Sequence, residues 1–393
     1  MLPAPTGSRR RMRLTIVLGP FKPPPPAPSG AVEKVWWSIA GELARRGHAV
    51  TVVGADHPDL PRGEGWEGVS YRRMPLLDRS GRRWRDVLRD LFWSRRARRL
   101  LPDADVTITN CVWLPWLLGG PSARRRLGVL EVHVQRFPKG QMRLYARVDS
   151  ISTVSRAIAD AISAEQPALS ERIRVLPNPV DLEVFRPPSP PRATGDPPVL
   201  LYTGRLHPEK RLDLLVAAWR RLLDEGRRVR LRLVGPSSRE AGGGGAPLID
   251  RLRALARGSE IELVGAVADP RALAEELRGA DVYAYPSTAA EGEALPVAPL
   301  EAMACGLAPV VAALPQYAGV IVDGEHGLAF PLGLADDEAT RALADRLRRL
   351  LDDPALRSRL GRRAAEHMQG FSVEALAGRH LADLAALAAR RAT

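Results

Sequence analysis

The fold is decided by the stretch Tyr285-Pro-Ser-Thr-Ala-Ala-Glu291-Gly-Glu293-Ala-Leu-Pro-Val-Ala-Pro-Leu-Glu301-Ala-Met-Ala-Cys-Gly306. The apolar run Asp281–Tyr285 predicts a buried strand, and Pro299 predicts the start of a helix because a first helical position needs no backbone N–H. Glu293 then lies in the loop, and Glu301 lies in the first turn, where the helix macrodipole favours a carboxylate. Open α/β sheets bind ligands beyond the carboxyl ends of their strands, so the pair predicts a binding site. An ordinary acidic surface loop is the alternative.

A second stretch repeats the order of strand, loop and helix: Val199-Leu-Leu-Tyr-Thr-Gly204-Arg205-Leu-His-Pro-Glu-Lys210-Arg-Leu-Asp-Leu-Leu-Val-Ala-Ala-Trp219. Gly204 allows the chain to turn, and the following helix directs free N–H groups at the turn. Arg205 can hold a phosphate with its planar guanidinium, and Lys210 adds a compact charge. The chain has only four lysines, so Lys210 is not part of a lysine-rich background. The pattern predicts an anion site, with a solvated basic turn as the alternative.

Strand and helix patterns alternate along the whole chain. Before residue 186, strands are predicted at Leu14–Leu18, Ala49–Gly54, Asp105–Thr109 and Val129–His133, and helices at Val32–Arg46 and Arg82–Leu101. After residue 198, strands are predicted at Val199–Thr203, Arg230–Val234, Glu260–Val264, Asp281–Tyr285 and Pro309–Val311. This alternation predicts an α/β fold with two Rossmann-like domains, whose parallel sheets face one another across a cleft.

The length of 393 residues is enough for two cores. We predict a disordered basic tail over residues 1–12, an N-terminal domain over 13–185 and a C-terminal domain over 199–372. The proline-rich segment 186–198 has no apolar periodicity and is predicted to be the linker.

Composition limits the compartment and the partners. The only cysteines, Cys111 and Cys305, lie in different predicted domains, which favours a reducing cytoplasm over a disulfide framework. We expect a soluble or peripheral protein, because no hydrophobic signal region is recognised and no apolar run reaches the ~18 residues of a spanning helix. No metal-ligand spacing is recognised. The net charge of +13 is compatible with an anionic partner, but no nucleic-acid reader motif is present, so we expect no nucleic acid.

The segment Arg82–Arg99 combines arginines with aromatic residues in a helical pattern. Such a helix could lie on anionic lipid headgroups at the inner face of a membrane. The interpretation that we favour instead is an amphipathic helix that packs Trp84, Leu88 and Leu91 inward and solvates its arginines.

Taken together, the motifs resemble those of the retaining GT-B glycosyltransferases, in the large family four with its E-x7-E motif. The resemblance covers most of the chain. It is carried by Pro28–Glu33, Leu43–Val52, Ser152–Ser155, Val175–Phe185, Gly204–Arg205 with Lys210, Glu293 with Glu301, and Val322–Leu328.

The resemblance implies a role for each site residue. Arg205 and Lys210, beside Gly204, would neutralise the diphosphate of a sugar-nucleotide donor. Glu301 would bind the ribose, and Glu293, followed by Ala294 and Leu295, would contact the transferred sugar. Gly30 would bring backbone N–H groups to the phosphates, and His133 matches a histidine beside the donor sugar. By the same resemblance the first domain is the acceptor side, the second binds the donor, and a final helix over 373–393 returns to the first.

Three departures from the family pattern affect these assignments. The first loop carries four prolines, Pro23–Pro26, and a single Gly30 where relatives often show paired glycines. The segment 312–319 lacks the usual diglycine and glutamate. Glu291 lies two positions before Glu293 and offers an alternative register. Glu293 is preferred because it alone gives the eight-residue step to Glu301.

The function predicted from these motifs is transfer of a sugar from a nucleoside-diphosphate sugar to an acceptor hydroxyl with retention of configuration. No cofactor or obligatory metal is expected, and front-face transfer is preferred because no second acid has the spacing of a covalent mechanism. A sugar-nucleotide epimerase and a non-catalytic sugar-nucleotide or membrane-surface binding module are the alternatives. The sugar, the nucleotide base and the acceptor are not specified by the sequence.

Overall fold

Contacts along the chain divide the protein into two units. The structure, a computed structural model, describes residues 11–190 and 192–392. Unit 1 contains the chain up to Val154, Ile158–Pro177 and the segment from Val373 onward, and unit 2 contains Ser155–Ala157 and Asn178–Ser372.

Unit 1 is built on a sheet in which the described residues form eight strands, in the order β3-β4-β2-β1-β5-β6-β7-β8. All neighbours pair in parallel except β3 and β4. The strands are β1 (Arg13–Val17), β2 (Ala49–Ala55), β3 (Gly65–Trp66), β4 (Val69–Met74), β5 (Val106–Thr109), β6 (Val129–Val134), β7 (Ser150–Thr153) and β8 (Ile173–Val175). Its helices include α1 (Ala31–Arg45), α2 (Arg83–Leu100), α3 (Leu114–Leu118), α4 (Pro121–Leu127) and α5 (Arg156–Glu165).

Unit 2 contains a second parallel sheet, with six strands among the described residues in the order β11-β10-β9-β12-β13-β14. These strands are β9 (Val199–Thr203), β10 (Arg230–Val234), β11 (Ile261–Gly265), β12 (Val282–Tyr285), β13 (Pro309–Ala312) and β14 (Leu328–Phe330). The helices are α6 (Leu212–Asp224), α7 (Ala246–Ala256), α8 (Pro270–Arg278), α9 (Val297–Ala304), α10 (Asp336–Asp352) and α11 (Pro354–Met368). The strand order reverses between β9 and β12, and this reversal is where open α/β sheets bind ligands.

The predicted α/β fold with two parallel sheets is confirmed. Five strands, β3, β4, β7, β8 and β14, were not predicted. Strand β7 has the sequence Ser-Ile-Ser-Thr, and its buried hydroxyls are satisfied by neighbouring strands; Thr153, for example, donates to the carbonyl of Val134 at 2.8 Å. A search for apolar runs misses such a strand because burial there depends on hydrogen bonds made by residues distant in sequence.

The structure describes only part of the predicted basic tail and of the predicted linker. Residues 1–10 of the predicted tail lie outside the described residues, while Met12 is buried in the core of unit 1. The predicted linker 186–198 belongs to unit 2, where the Asp281 carboxylate accepts hydrogen bonds from Arg192 at 2.7 Å and from the Gly195 N–H at 3.2 Å.

The favoured packing of the arginine-rich helix α2 is wrong for Trp84 and Leu88, whereas Leu91 is half-buried and the arginines are exposed as expected. Trp84 and Leu88 are 59% and 45% exposed, and the buried side consists of Asp90, Trp93, Ser94 and Ala97. This side can pack inward because its polar groups find partners. The Asp90 carboxylate accepts the N–H groups of Val112 and Trp113, each at 3.1 Å, and the indole of Trp93 donates to the carbonyl of Pro75.

The last helix, α12 (Val373–Ala392), completes the core of unit 1. Its residues Leu376, Leu381 and Leu384 are buried in the same cluster as Trp36 and Leu43 of α1. None of the helices in the described part of the chain is long and apolar enough to cross a membrane.

A buried ion pair fixes α12 to the sheet of unit 1. His380 Nε2 lies 2.9 Å from Glu131 Oε1 on β6, and both side chains are almost fully buried. Burial acts against both charges, but the pairing outweighs it: the pKa of Glu131 is lowered and the pKa of His380 is raised. Each charge therefore stabilises the other in the folded state.

We predict that the contribution of this pair to the free energy of unfolding falls at both low and high pH. The His380 contribution is complete below the ordinary histidine value of 6.5 and is lost as the pH rises through its raised pKa. The Glu131 contribution is complete above the ordinary value of 4.5 and is lost as the pH falls through its lowered pKa. The unfolding free energy of the wild type minus that of E131Q/H380Q should therefore be largest between these values and smaller on either side, as measured by urea titration.

The single variant H380Q should lose about 3–5 kcal/mol near pH 6, and more than the double variant, because it leaves the Glu131 charge buried without a counter-ion. A difference curve that is flat with pH, or a double variant less stable than H380Q, would contradict this account.

Candidate functional site

The candidate site of unit 2 begins with a buried ion pair. Lys210 follows β9 and Glu293 follows β12, and the carboxyl ends of these neighbouring parallel strands lie at one edge of the sheet. The Lys210 Nζ lies 2.5 Å from Glu293 Oε1. Both side chains are more than nine-tenths buried. Two side chains separated by 83 positions are thus brought together where the strand order reverses.

Tyr285, the last residue of β12, supports the same carboxylate. Its hydroxyl donates to Glu293 Oε1 at 3.0 Å, and its ring lies 5.8 Å from the Lys210 ammonium. On its other side the ring stacks on Tyr202 at a centroid distance of 5.6 Å. Burial, followed by the Glu293 charge, raises the pKa of Tyr285 well above its ordinary value, so the hydroxyl keeps the proton that it donates.

Glu209 links the two predicted cations. Its Oε1 lies 2.7 Å from the Arg205 guanidinium and 3.3 Å from the Lys210 ammonium. Burial acts to raise the pKa of Glu209, but the charges of Lys210 and Arg205 outweigh it and the pKa is lowered. An anion is therefore already held between the cations, and it belongs to the chain itself. Sequence reasoning missed Glu209, although an acid next to Lys210 was a visible signal.

The turn at Gly204 aims Arg205 toward this cluster. Gly204 has a φ of +137°, which side chains other than glycine rarely adopt. The next residue, Arg205, is 46% exposed at its side chain and donates to the carbonyl of Gly242 at 2.9 Å. The Tyr202 hydroxyl donates to the Arg205 carbonyl at 3.0 Å. Arg205 is thus the accessible cation of the cluster and Lys210 the buried one.

Two side-chain amides fix the loop that carries Glu293. The Gln316 amide donates to the carbonyls of Ala290 and Glu293, the latter at 2.9 Å. The Asn178 amide donates to the carbonyl of Leu295 at 2.7 Å, and Leu295 is buried while Ala294 is partly exposed. Gln316 lies in the segment 312–319, which lacks the family's diglycine and glutamate. Its structural role was not predicted.

The two acids of the alternative registers are separated by the structure. Glu293 is 6% exposed and contacts Lys210, whereas Glu291 is exposed on the surface of the loop. Only Glu293 is therefore brought into the cluster.

The predicted position of Glu301 needs a correction. Helix α9 begins at Val297 after Pro296, so Glu301 lies in the second turn and not the first. The helix can start before Pro299 because the first four N–H groups of a helix have no partner within it, and proline there loses no bond. The macrodipole therefore favours the Glu301 carboxylate less than predicted. Glu301 lies close enough to β12 for its charge to raise the pKa of Tyr283, although burial is the larger cause.

His133 of unit 1 belongs to a separate buried polar chain. It lies within β6, one residue before the strand ends, and its Nδ1 is 3.0 Å from the Ser152 hydroxyl. Ser152 donates its single proton to Glu131 at 2.8 Å, because an ionised carboxylate only accepts. The hydroxyl oxygen must therefore accept from His133 Nδ1–H.

The hydrogen bonds from His133 to Ser152 and from Ser152 to Glu131 fix the tautomer of the His133 imidazole. Burial lowers the pKa of His133 to about 4, so the ring is neutral near pH 7 and its Nε2 carries no proton. Nε2 is buried and makes no hydrogen bond to any residue that the structure describes. The edge of Trp36 packs against the ring at 5.0 Å between centroids. His133 is thus a preset hydrogen-bond acceptor.

Gly30 is the N-cap of α1, as the predicted glycine loop requires. Its N–H is bonded to the Glu33 side chain, and a Cβ at position 30 would lie 2.4 Å from Glu33 Oε2. Burial raises the pKa of Glu33. A carboxylate therefore occupies the end of α1 at which the family resemblance expects a phosphate.

Within residues 11–190 and 192–392, no three His, Cys, Asp or Glu side chains are grouped as ligands of a metal ion. The family model described as glycosyl transferases group 1 matches residues 188–367, and the model described as glycosyltransferase family 4 matches residues 30–184.

Two relatives in sequence share one name. The D-inositol 3-phosphate glycosyltransferase of Kribbella flavida is 32% identical over 306 residues, which are 68% of each chain. The protein of the same name from Kineococcus radiotolerans is 40% identical over 219 residues, 51% of this chain and 48% of its own length. The chain therefore spans about half the length of that relative.

Solved structures share the fold at low identity. Sucrose-phosphate synthase of Thermosynechococcus elongatus superposes with a TM-score of 0.74 at 20% identity, over 96% of this chain and 100% of its own. The Anabaena protein HepE, in complex with UDP and glucose, superposes with a TM-score of 0.67 at 17% identity, over 95% and 100%. The predicted GT-B fold is confirmed. Since the two family models cover both units and the Kribbella relative is matched over more than two thirds of its length, the chain belongs to family four of the GT-B glycosyltransferases.

Proposed function

We propose that the chain transfers a sugar from a nucleoside-diphosphate sugar to an acceptor hydroxyl, with retention of configuration and without an obligatory metal. The observation that carries the proposal is the cluster of Arg205, Lys210 and Glu293 at the point where the strand order of unit 2 reverses. The Anabaena relative in fold was solved with UDP and glucose, which supports the donor class.

The first step of the proposal is capture of the diphosphate. The carboxylate of Glu209 contacts both Arg205 and Lys210. A diphosphate carries more negative charge and more acceptor oxygens than one carboxylate, so it would bind the same two cations more strongly. Donor binding would displace Glu209 from the cations. Arg205, which is partly exposed, would meet the donor first, and Glu301 would bind the ribose.

The second step is departure of the diphosphate as the sugar gains positive charge. Lys210 would stabilise the leaving oxygen, since it is held in place before the reaction and costs no reorganisation. Glu293, fixed by Tyr285 and Lys210, would face the transferred sugar as a carboxylate. The neutral Nε2 of His133 would accept a hydrogen bond from a substrate hydroxyl. The acceptor hydroxyl would then attack from the front face, because the sequence offers no second acid at the spacing of a covalent mechanism.

The test begins with a panel of UDP-, GDP-, ADP- and TDP-sugars. A donor that binds the folded chain should raise its melting temperature, because ligand binding stabilises the native state by mass action. Turnover should then require an acceptor, and D-inositol 3-phosphate is the first to try because the relatives in sequence carry its name. A product formed from donor alone would indicate an epimerase, and binding without turnover would indicate a non-catalytic module.

We predict different kinetic effects for the two glutamates. E293Q keeps the shape of the side chain and removes its charge, so it should lower kcat by on the order of 10- to 1000-fold, or about 1.4–4 kcal/mol, with a smaller change in donor KM. E301A should mainly raise donor KM, because the ribose does not change between the ground and transition states.

The matched control for this prediction is E291Q, which alters an exposed acid of the same loop and should be mild. Melting curves should accompany the kinetics, because E293Q removes the partner of a buried lysine. If E291Q abolishes turnover while a folded E293Q keeps it, the site must be rebuilt around Glu291.

We also predict that turnover survives EDTA. The proposal gives the neutralisation of the diphosphate to Arg205 and Lys210, so a metal ion has no required task. Initial rates should be the same with and without EDTA after dialysis. A complete loss of activity that added Mg²⁺ or Mn²⁺ restores would refute the metal-independent assignment.

A further inference from the structure

The outward side of α2 carries an unusual set of exposed apolar residues. Trp84, Leu88 and Phe92 are spaced four positions apart and therefore lie along one side of the helix. They are 59%, 45% and 66% exposed, and they are half of the large hydrophobic residues exposed to this degree in the described part of the chain. The opposite side, with Asp90, Trp93 and Ala97, is buried. The stripe thus faces away from the rest of unit 1.

The same helix is strongly cationic. Its 18 residues contain seven arginines and only two acids, Asp86 and Asp90. Asp90 is buried, and Asp86 accepts the N–H of Ser80 at 2.8 Å. Four exposed arginines occupy the last turns and form no ion pair with any residue that the structure describes: Arg95, Arg96, Arg98 and Arg99. We call Trp84, Leu88, Phe92, Arg95, Arg96 and Arg99, which project from one side, the α2 outer face.

The apolar surface continues beyond the helix. A groove of about 710 Å³ is lined by Arg83, Trp84, Val87 and Leu88. The Trp113 indole donates to the carbonyl of Val87 at 3.0 Å, and Trp116 packs edge-on against Trp113. Trp116 itself is 55% exposed. Aromatic and arginine side chains are therefore mixed across one surface of unit 1.

We propose that the α2 outer face docks on the surface of an anionic lipid bilayer. Tryptophan, phenylalanine and leucine can enter the boundary between headgroups and acyl chains, while arginine side chains reach back to the phosphates. The excess of five positive charges on the helix complements such a surface and would repel a second copy of the same face. The core of a protein–protein interface is depleted in charge, whereas this face mixes charge and apolar area along its length.

Docking through this face is independent of the proposed transfer reaction. No residue of the α2 outer face belongs to the cluster of Arg205, Lys210 and Glu293, which lies in unit 2. Docking would fix unit 1 at the bilayer and would concentrate the protein near acceptors held in that surface.

The test uses the full chain and vesicles of phosphatidylcholine with or without phosphatidylglycerol. The wild type should sediment with the phosphatidylglycerol vesicles only, and added salt should weaken the binding. The triple variant R95Q/R96Q/R99Q should bind on the order of 100-fold more weakly. The variant W84S/F92S should also bind weakly. Spin-labelled lipids should quench a smaller fraction of the tryptophan emission in this variant than in the wild type.

The matched control variants remove exposed arginines or an exposed apolar side chain outside the α2 outer face. R253Q/R271Q/R359Q takes three exposed arginines from unit 2, and V175S alters an exposed apolar residue of unit 1. Both should bind like the wild type. Equal losses in the control and α2 variants would overturn the proposal, as would absence of wild-type binding. A wild-type dimer that W84S/F92S dissociates, without any vesicle binding, would assign the face to self-association instead.

Discussion

The buried contact between Lys210 and Glu293 is the constraint on which the candidate site depends. Each charge is tolerable away from water because the other lies 2.5 Å away. The lysine comes from the loop after β9 and the glutamate from the loop after β12. The contact therefore joins the two halves of the unit 2 sheet at the point where the strand order reverses. Tyr285 and Gln316 then hold the glutamate from its side-chain and backbone ends. The result is a set of charges whose geometry is fixed before any ligand arrives.

The sequence predicts this arrangement as far as local pattern reaches. The apolar run of β9 and the strand–helix alternation around β10 placed both strands correctly, and the step from Glu293 to Glu301 identified the acid that meets Lys210. Contacts between residues that are distant in the sequence could not be predicted from local pattern. Gln316 reaches back 23 positions to support Glu293, and no periodicity marks it. Glu301 was assigned to the wrong turn because proline is tolerated at several positions of a first helical turn.

Helix α2 shows a different limit of sequence pattern. A search for the apolar side of a helix assumes that this side is buried. Here Asp90 is buried instead, because two backbone N–H groups satisfy its carboxylate, although burial still raises its pKa to about 6. Trp84 and Phe92 remain at the surface. Which side of a helix is buried depends on the hydrogen-bond partners of its polar groups as well as on its apolar area. An apolar stripe that remains exposed to solvent is therefore a candidate binding surface.

The return of α12 to unit 1 has a consequence for synthesis on the ribosome. The core around Trp36 and Leu43 lacks Leu376, Leu381 and Leu384 until α12 has emerged. Unit 2, which apart from Ser155–Ala157 is one continuous segment, is complete first. Domains generally fold as units, N-terminal ones first, during translation. In this protein we expect the order to be reversed, because the apolar surface of the unit 1 sheet stays uncovered until α12 is made.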